Sequence, residues 1–298
     1  MTALRLGLAL PQYGQLADPA AVAGFAAAAE RIGYSSLWAG DRVLTPVDPS
    51  DYYPGGGTAE QPYPPEFVRF VDPIVTLTAA AGATSTARLG TSTLVGPVYP
   101  PVLLARSLTS LDLISDGRLD VGLGLGWLRD EYTATGVPWA GRGARLGELI
   151  DVLRTLWTAD PAGHDSERWQ IPDARIGLRP AQRPHPPILL GGMSERALRR
   201  VGQVADGWLP TLIPAKRLRE MWSVISAAAT EAGRDPASLR RVLRTNPHPG
   251  ATMTDVAGQL KKIGDEGYTE AFVDLHYVAD NIAHALELAE ELYAAVGR

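Results

Sequence analysis

The amino-acid sequence predicts one (β/α)8 TIM barrel spanning residues 1–298, with long loops after its second strand and before its fifth. Three observations lead there. Short β-branched or aliphatic runs alternate with longer segments of helical period along the whole chain. Eight such strand–helix units in 298 residues match the count and size of that barrel. No shift in composition marks a second domain, and no repeat shows beyond the alternation itself. A doubly wound open sheet is the competing arrangement.

The runs expected as strands are Leu4–Leu10, Ser36–Ala39, Leu89–Leu94, Leu119–Leu123, Ile188–Leu190, Gly207–Leu209, Val242–Arg244 and Ala271–Asp274. Each is short and apolar, as strands covered on both sides must be. Between them the period is helical; Leu146, Leu149, Ile150, Leu153, Leu156 and Trp157 share one helix face. Asp18-Pro19, Asp72-Pro73 and Asp235-Pro236 read as helix starts, an N-cap acid before proline at the first helical position. Asp41–Val71 and Thr158–Pro187 exceed ordinary connections. The first leaves the carboxyl end of a strand, where barrel enzymes place their chemistry, and reads as a lid. The second reads equally as a lid or binding loop and as a surface excursion or dimer contact.

Composition excludes several classes of function. Without cysteine there is no disulfide, thiolate–zinc site or cysteine nucleophile. A net charge of −5 argues against a nucleic-acid partner. No apolar run approaches the roughly 18 residues of a membrane span. The opening stretch, broken by Arg5 and ended by Pro11, reads as a strand and not a signal peptide, so a cytoplasmic location is expected. Lys216, Lys261 and Lys262 all fall in helical segments, which leaves no Schiff-base lysine at a strand end.

Local motifs narrow the chemistry further. The run Gly122-Leu123-Gly124-Leu125-Gly126-Trp127 follows a strand, but the third glycine of a dinucleotide fingerprint falls on Trp127 or Arg129. Neither a phosphate-binding P-loop nor a G-x-S-x-G elbow occurs. The five histidines show no metal-ligand spacing, and no metal is expected. Gly191-Gly192-Met193-Ser194 closes a strand and opens a helix, so its amides could take a phosphate. An ordinary tight strand–helix turn is the alternative. Asp41-Arg42, just past the second strand, could be catalytic or a solvated ion pair. Trp38, Trp127, Trp139 and Trp208 could stack on an aromatic coenzyme or simply pack.

Taken in order, several stretches resemble the luciferase-like monooxygenase family, in particular its deazaflavin-dependent branch of actinobacterial oxidoreductases. They include Tyr34-Ser35-Ser36-Leu37-Trp38-Ala39-Gly40-Asp41, Leu89-Gly90-Thr91-Ser92-Thr93-Leu94 and Leu111-Asp112-Leu113-Ile114-Ser115-Asp116-Gly117-Arg118. The glycine run with Asp130-Glu131-Tyr132, Arg142-Gly143-Ala144-Arg145, Gly191-Gly192 and Ala205-Asp206-Gly207-Trp208 continue the match to about residue 210. The last 90 or so residues carry only barrel periodicity.

The resemblance implies a coenzyme ring across the carboxyl-end mouth, resting on a bulge with a non-prolyl cis peptide that falls at Ser92-Thr93. It places the coenzyme phosphate near Gly191, Gly192 and Gly126, and Gln12 and Trp127 among the coenzyme contacts. Asp41 and Arg42 are the expected catalytic pair. Many relatives carry histidine where this chain has Arg42, and arginine cannot be a general base. The sugar-phosphate dehydrogenase branch has glutamate where Trp127 stands, which disfavours such substrates. The expected activity is hydride transfer between coenzyme F420 and a small-molecule substrate, with a proton from Asp41, Gln12, Glu131, His276 or water. The alternatives are an FMN-dependent two-component monooxygenase and a barrel that binds flavin or metabolite without turnover. A homodimer is expected from the same resemblance.

Overall fold

The computed structural model describes residues 4–297. Eight parallel strands close the barrel: β1 (Arg5–Ala9), β2 (Ser36–Ala39), β3 (Arg88–Thr91) continued by β4 (Leu94–Val95), β5 (Leu119–Gly124), then β8 (Ile188–Leu190), β9 (Gly207–Trp208), β10 (Arg240–Thr245) and β11 (Glu270–Val273). The intervening β6 (Ala162–Asp165) and β7 (Gln170–Ala174) form a separate antiparallel hairpin. Pairing of β1 with β11 and of β3 with β5 closes the circle and excludes the open sheet. All eight expected strands are present, displaced by a residue or two at their ends.

Around the barrel run α1 (Val22–Ile32), α2 (Pro73–Ala83), α3 (Pro101–Ile114), α4 (Arg129–Ala134), α5 (Arg142–Thr158), α6 (Glu195–Val204), α7 (Ala215–Glu231), α8 (Met253–Asp265) and α9 (Ile282–Val296). The predicted α5 face, Leu146 to Trp157, is buried throughout. Among the described residues no helix is long and apolar enough to cross a membrane.

Of the three Asp-Pro starts, only Asp72 caps an α-helix, accepting from the Val75 amide at 2.9 Å. Asp18 accepts from Ala20 at 3.0 Å, yet α1 begins only at Val22. Asp235 opens a three-residue 3-10 turn, Pro236–Ser238. The cap is a local device, and a helix propagates only where an apolar face follows to be packed. Pro19 and Ala20 are exposed, and Leu239 is drawn directly into the core ahead of β10.

The stretch before β8 is less irregular than its composition suggests. Its hairpin lies along α5, where Glu148 takes hydrogen bonds from Ser166, His164 and Arg168. The loop after β2 keeps its irregular character, with one 3-10 turn at Pro65–Val68.

Alternate residues of each strand face the barrel axis and stack in layers. At the amino end Asp120 accepts paired bonds from Arg88 (2.9 and 2.6 Å) and from Arg240 (2.6 and 2.9 Å). Above lie Trp38, Leu189, Leu209, Val242 and Phe272, with the Trp38 and Phe272 rings stacked at 4.7 Å. Gly90 is required there, because any Cβ would overlap the Trp38 ring. Nearest the mouth come Ser92, Arg244 and Asp274. Trp38 is therefore axial packing, while Trp208 packs outward in the main core.

Candidate active site

At the carboxyl ends of β3, β5 and β8 a strip of glycines packs around the side chains of Thr93 and Val95. The chain leaves the sheet between β3 and β4 at Ser92 and Thr93, joined by the cis peptide that the resemblance implies. The Ser92 amide donates to Ala39 O at 2.7 Å, and its carbonyl accepts from Arg244 Nη1 at 3.0 Å. The Thr93 side chain lies where a Cβ on Gly124 would overlap it, and 3.4 Å from where one on Gly191 would sit. Gly126, with φ of 65°, approaches Val95 so closely that a Cβ would meet it at 2.8 Å. The strip continues to exposed Gly192 (φ 121°) and the first turn of α6, capped by Ser194.

The amides at this turn are not equivalent. Gly191 N–H donates to Leu123 O at 3.0 Å and is engaged in the barrel. The Gly192 amide has no partner among the described residues, and the next amides belong to an unpaired helix start.

The loop Asp41–Val71 arches from β2 over the β3 bulge to α4. Arg42 meets Glu131 at 3.3 Å, and Glu131 also accepts from the Val43 amide at 2.9 Å. The Arg42 guanidinium lies over the rings of Phe67 (5.0 Å) and Trp127 (4.7 Å). Farther along, Ser50 donates twice to Asp130, at 2.8 and 2.9 Å, and the Arg129 amide donates to Asp51 at 2.9 Å. Gln12 ties the far end of the loop: its Nε2 donates to Gly40 O and Val71 O, and its Oε1 accepts from the Gly40 amide. With both donors so used, Gln12 braces the rim from below.

Asp41 stands beside the bulge with Oδ2 accepting from the Val95 amide (2.8 Å) and Tyr99 Oη (3.0 Å). Burial raises its pKa above the ordinary carboxylate value, against those two donors. Burial likewise raises Glu131, against the pull of Arg42, and lowers Arg42. Deeper in, Asp274 sits 2.7 Å from His276 Nδ1, accepts from Tyr13 Oη at 2.7 Å and pairs with Arg244 at 2.6 Å. Burial opposes its charge, but His276, Arg244 and Tyr13 together hold it well below the usual range. His276, stacked on Tyr13, is 2% exposed and does not reach the mouth.

Beneath the mouth the axis is plugged, with only a cavity of about 10 Å³ among Gln12, Trp38, Ser92, Arg244 and Asp274. That space is too small for a ligand inside the barrel. A cavity of about 670 Å³ lies at the opposite end, beside Arg5, Lys261 and Tyr293, away from the strand ends that carry barrel chemistry. No cluster of three or more histidine and acidic side chains suited to a metal ion occurs among the described residues.

The family model for luciferase-like monooxygenases matches residues 3–296. The chain belongs to the luciferase-like monooxygenase family. An uncharacterised Mycobacterium tuberculosis protein is 30% identical over 302 residues, covering 98% of this chain and 100% of that one. The oxygenase component of the flavin-dependent trigonelline monooxygenase of Acinetobacter baylyi is 37% identical over 119 residues, 39% of this chain and 33% of that one. In fold, the chain is similar to an F420-dependent secondary alcohol dehydrogenase, with a TM-score of 0.79, 16% identity and 99% of each chain covered.

In this luciferase-like barrel the predicted residues Ser92, Thr93, Gly126, Gly191 and Gly192 are brought to one strip, with Trp127 at its edge. Asp41 and Arg42 part company: Asp41 turns to the bulge, and Arg42 is enclosed by its own loop. Tyr99, Arg244 and Asp274 were not singled out by sequence. Their one signal was polarity at the carboxyl ends of otherwise apolar strands or just beyond them.

Proposed function

We propose that this luciferase-like protein is an oxidoreductase that transfers a hydride between the deazaflavin coenzyme F420 and a small organic substrate at the barrel mouth. The observation that carries this reading is the glycine strip around Thr93, running from Gly124 and Gly126 to the unpaired amides beyond Gly191. A coenzyme that lies close to the backbone needs glycine there, and a phosphate needs such amides. The residues present fit that group at exposed Gly192, with φ of 121° and an unpartnered amide, while Gly124 and Gly126 let Thr93 and Val95 pack against the backbone.

Ser92, Thr93, Gly126 and Trp127 would border the ring, and Gly192 with the α6 start would take the phosphate. Gly191 would contribute by lacking a side chain, its amide being engaged with Leu123. When bound, the coenzyme supplies two-electron chemistry, since carbon replaces the nitrogen that supports oxygen activation in flavins. Tyr53, Phe67 and Trp127 form an apolar wall on the loop side, suited to excluding water from a small organic substrate. Asp41 is the residue placed to carry a proton, because Oδ2 is held by Val95 and Tyr99 and Oδ1 is left for it. Arg42 keeps the loop closed and moves no proton.

A second reading, FMN with oxygen, is favoured by the flavin-dependent trigonelline monooxygenase relative. Titration of the purified protein with each coenzyme separates them. Saturable F420 binding with turnover of a simple alcohol or carbonyl substrate is expected. Tight FMN binding with none for F420 would overturn the proposal.

A further inference from the structure

The strand order β3-β2-β1-β11-β10 sets β10 directly across the barrel from β3. Arg244, on the axial side of β10, spans that distance. Its Nη1 donates to Ser92 O at 3.0 Å, its Nη2 to Asp274 Oδ2 at 2.6 Å and its Nε to Asn246 Oδ1 at 3.0 Å. All three nitrogens thus have a separate acceptor. The Arg244 side chain keeps 22% of its surface exposed and Asp274 only 1%, so the cation faces the mouth with its counter-ion behind.

We infer that Arg244 is a positioning residue for the coenzyme, holding the Ser92 carbonyl and so the height of the bulge on which the ring rests. The inference rests on the mouth being the coenzyme site. Ser92 is held from two sides, by its amide through Ala39 and by its carbonyl through Arg244. Only the second tie crosses the barrel. Asp274 is fixed in turn by Tyr13 and by the His276 ring and amide, so the anchor cannot swing. The neighbouring cavity of about 10 Å³ leaves no room for Arg244 to turn down the barrel axis. A lysine cannot replace it, because an ammonium is a point donor while the planar fork reaches three acceptors in fixed directions.

A purely structural role predicts something different. Arg240 forms an equally buried network with Asp120 and Glu270 at the opposite end of the same strand, far from the mouth. Arg240→Met is therefore the control for general destabilisation.

The test uses the full chain as Arg244→Lys, Arg244→Met/Asp274→Asn and Arg240→Met. The double variant removes the carboxylate that loss of Arg244 would leave unpaired. Thermal melting, F420 dissociation constant and the reduction potential of the bound coenzyme are measured for each. Both Arg244 variants are expected to fold, to bind at least tenfold more weakly than wild type and to shift the potential. Arg240→Met should melt earlier with wild-type affinity. Folded Arg244 variants with unchanged affinity and potential would overturn the inference, as would an equal affinity loss in Arg240→Met. Wild-type protein that binds FMN alone would overturn the coenzyme assignment while leaving Arg244 testable with FMN. Wild-type protein that binds neither would remove both.

Discussion

Arg42 and Glu131 form a buried ion pair, at 3.3 Å with side chains 8% and 1% exposed, and each keeps a polar atom without a partner. Arg42 Nε and Glu131 Oε2 are the orphans. The pair joins the loop after β2 to α4, so its first consequence is for stability and loop closure.

Arg42→Ala should destabilise the fold by about 3–5 kcal/mol, because it leaves Glu131 buried and uncompensated. Arg42→Met with Glu131→Gln should recover much of that loss. Burial already raises the Glu131 pKa, so the penalty should shrink as the pH is lowered and Glu131 takes up a proton. Denaturant unfolding across pH checks this; an Arg42→Ala protein as stable as wild type would show that the pair contributes nothing.

Gly191→Val should weaken coenzyme binding at least tenfold, about 1.4 kcal/mol, with the fold retained. Its Cβ would meet Thr93 Cγ2 at 3.4 Å, an ordinary contact, so the fold can accept a side chain that would obstruct the proposed coenzyme site. Equilibrium titration measures it. Unchanged affinity would place the coenzyme elsewhere.

Asp130→Ala removes both bonds from Ser50 at the loop tip. These bonds are exposed, so stability should fall by no more than about 1 kcal/mol. Proteolysis within residues 41–71 should quicken, and substrate KM should rise several-fold more than kcat falls. Wild-type KM in a variant whose loop is cleaved faster would separate loop closure from substrate binding.

Glu30 gives the clearest pH dependence. It accepts from the amides of Ser85, Thr86 and Ala87, just before β3. Desolvation opposes its charge, but those amides and the Thr86 hydroxyl together outweigh it and bring its pKa down to about 2. A lowered folded-state pKa adds stability that is present above the unfolded value near 4.5 and is lost as pH falls towards 2. Glu30→Gln should therefore melt below wild type at pH 7, with the gap closing through that window. A gap constant from pH 7 to pH 2 would show that the charge is not what matters.

Much of this molecule was legible before folding. Periodicity located every barrel strand, because a strand buried on both faces must be apolar whatever its neighbours. At the rim Gly126 and Gly192 take a positive φ that favours glycine, whereas the lack of room at Gly124 comes from Thr93, distant in sequence. Caps were read less well. Asp18-Pro19 and Asp235-Pro236 carry the right local chemistry, but whether a helix follows depends on what the next turn can pack against.

By itself, then, the chain determined its barrel, a consequence of what each residue can do within a few neighbours. Only the tertiary structure decided the fate of the charges. It enclosed Arg42 between Phe67 and Trp127 against Glu131, aimed Asp41 at Val95 and Tyr99, and stretched Arg244 across to Ser92. The reason is that a charge takes its role from the groups it meets, and Val95, Tyr99, Glu131 and Ser92 lie 54 to 152 residues along the chain from the charges they hold.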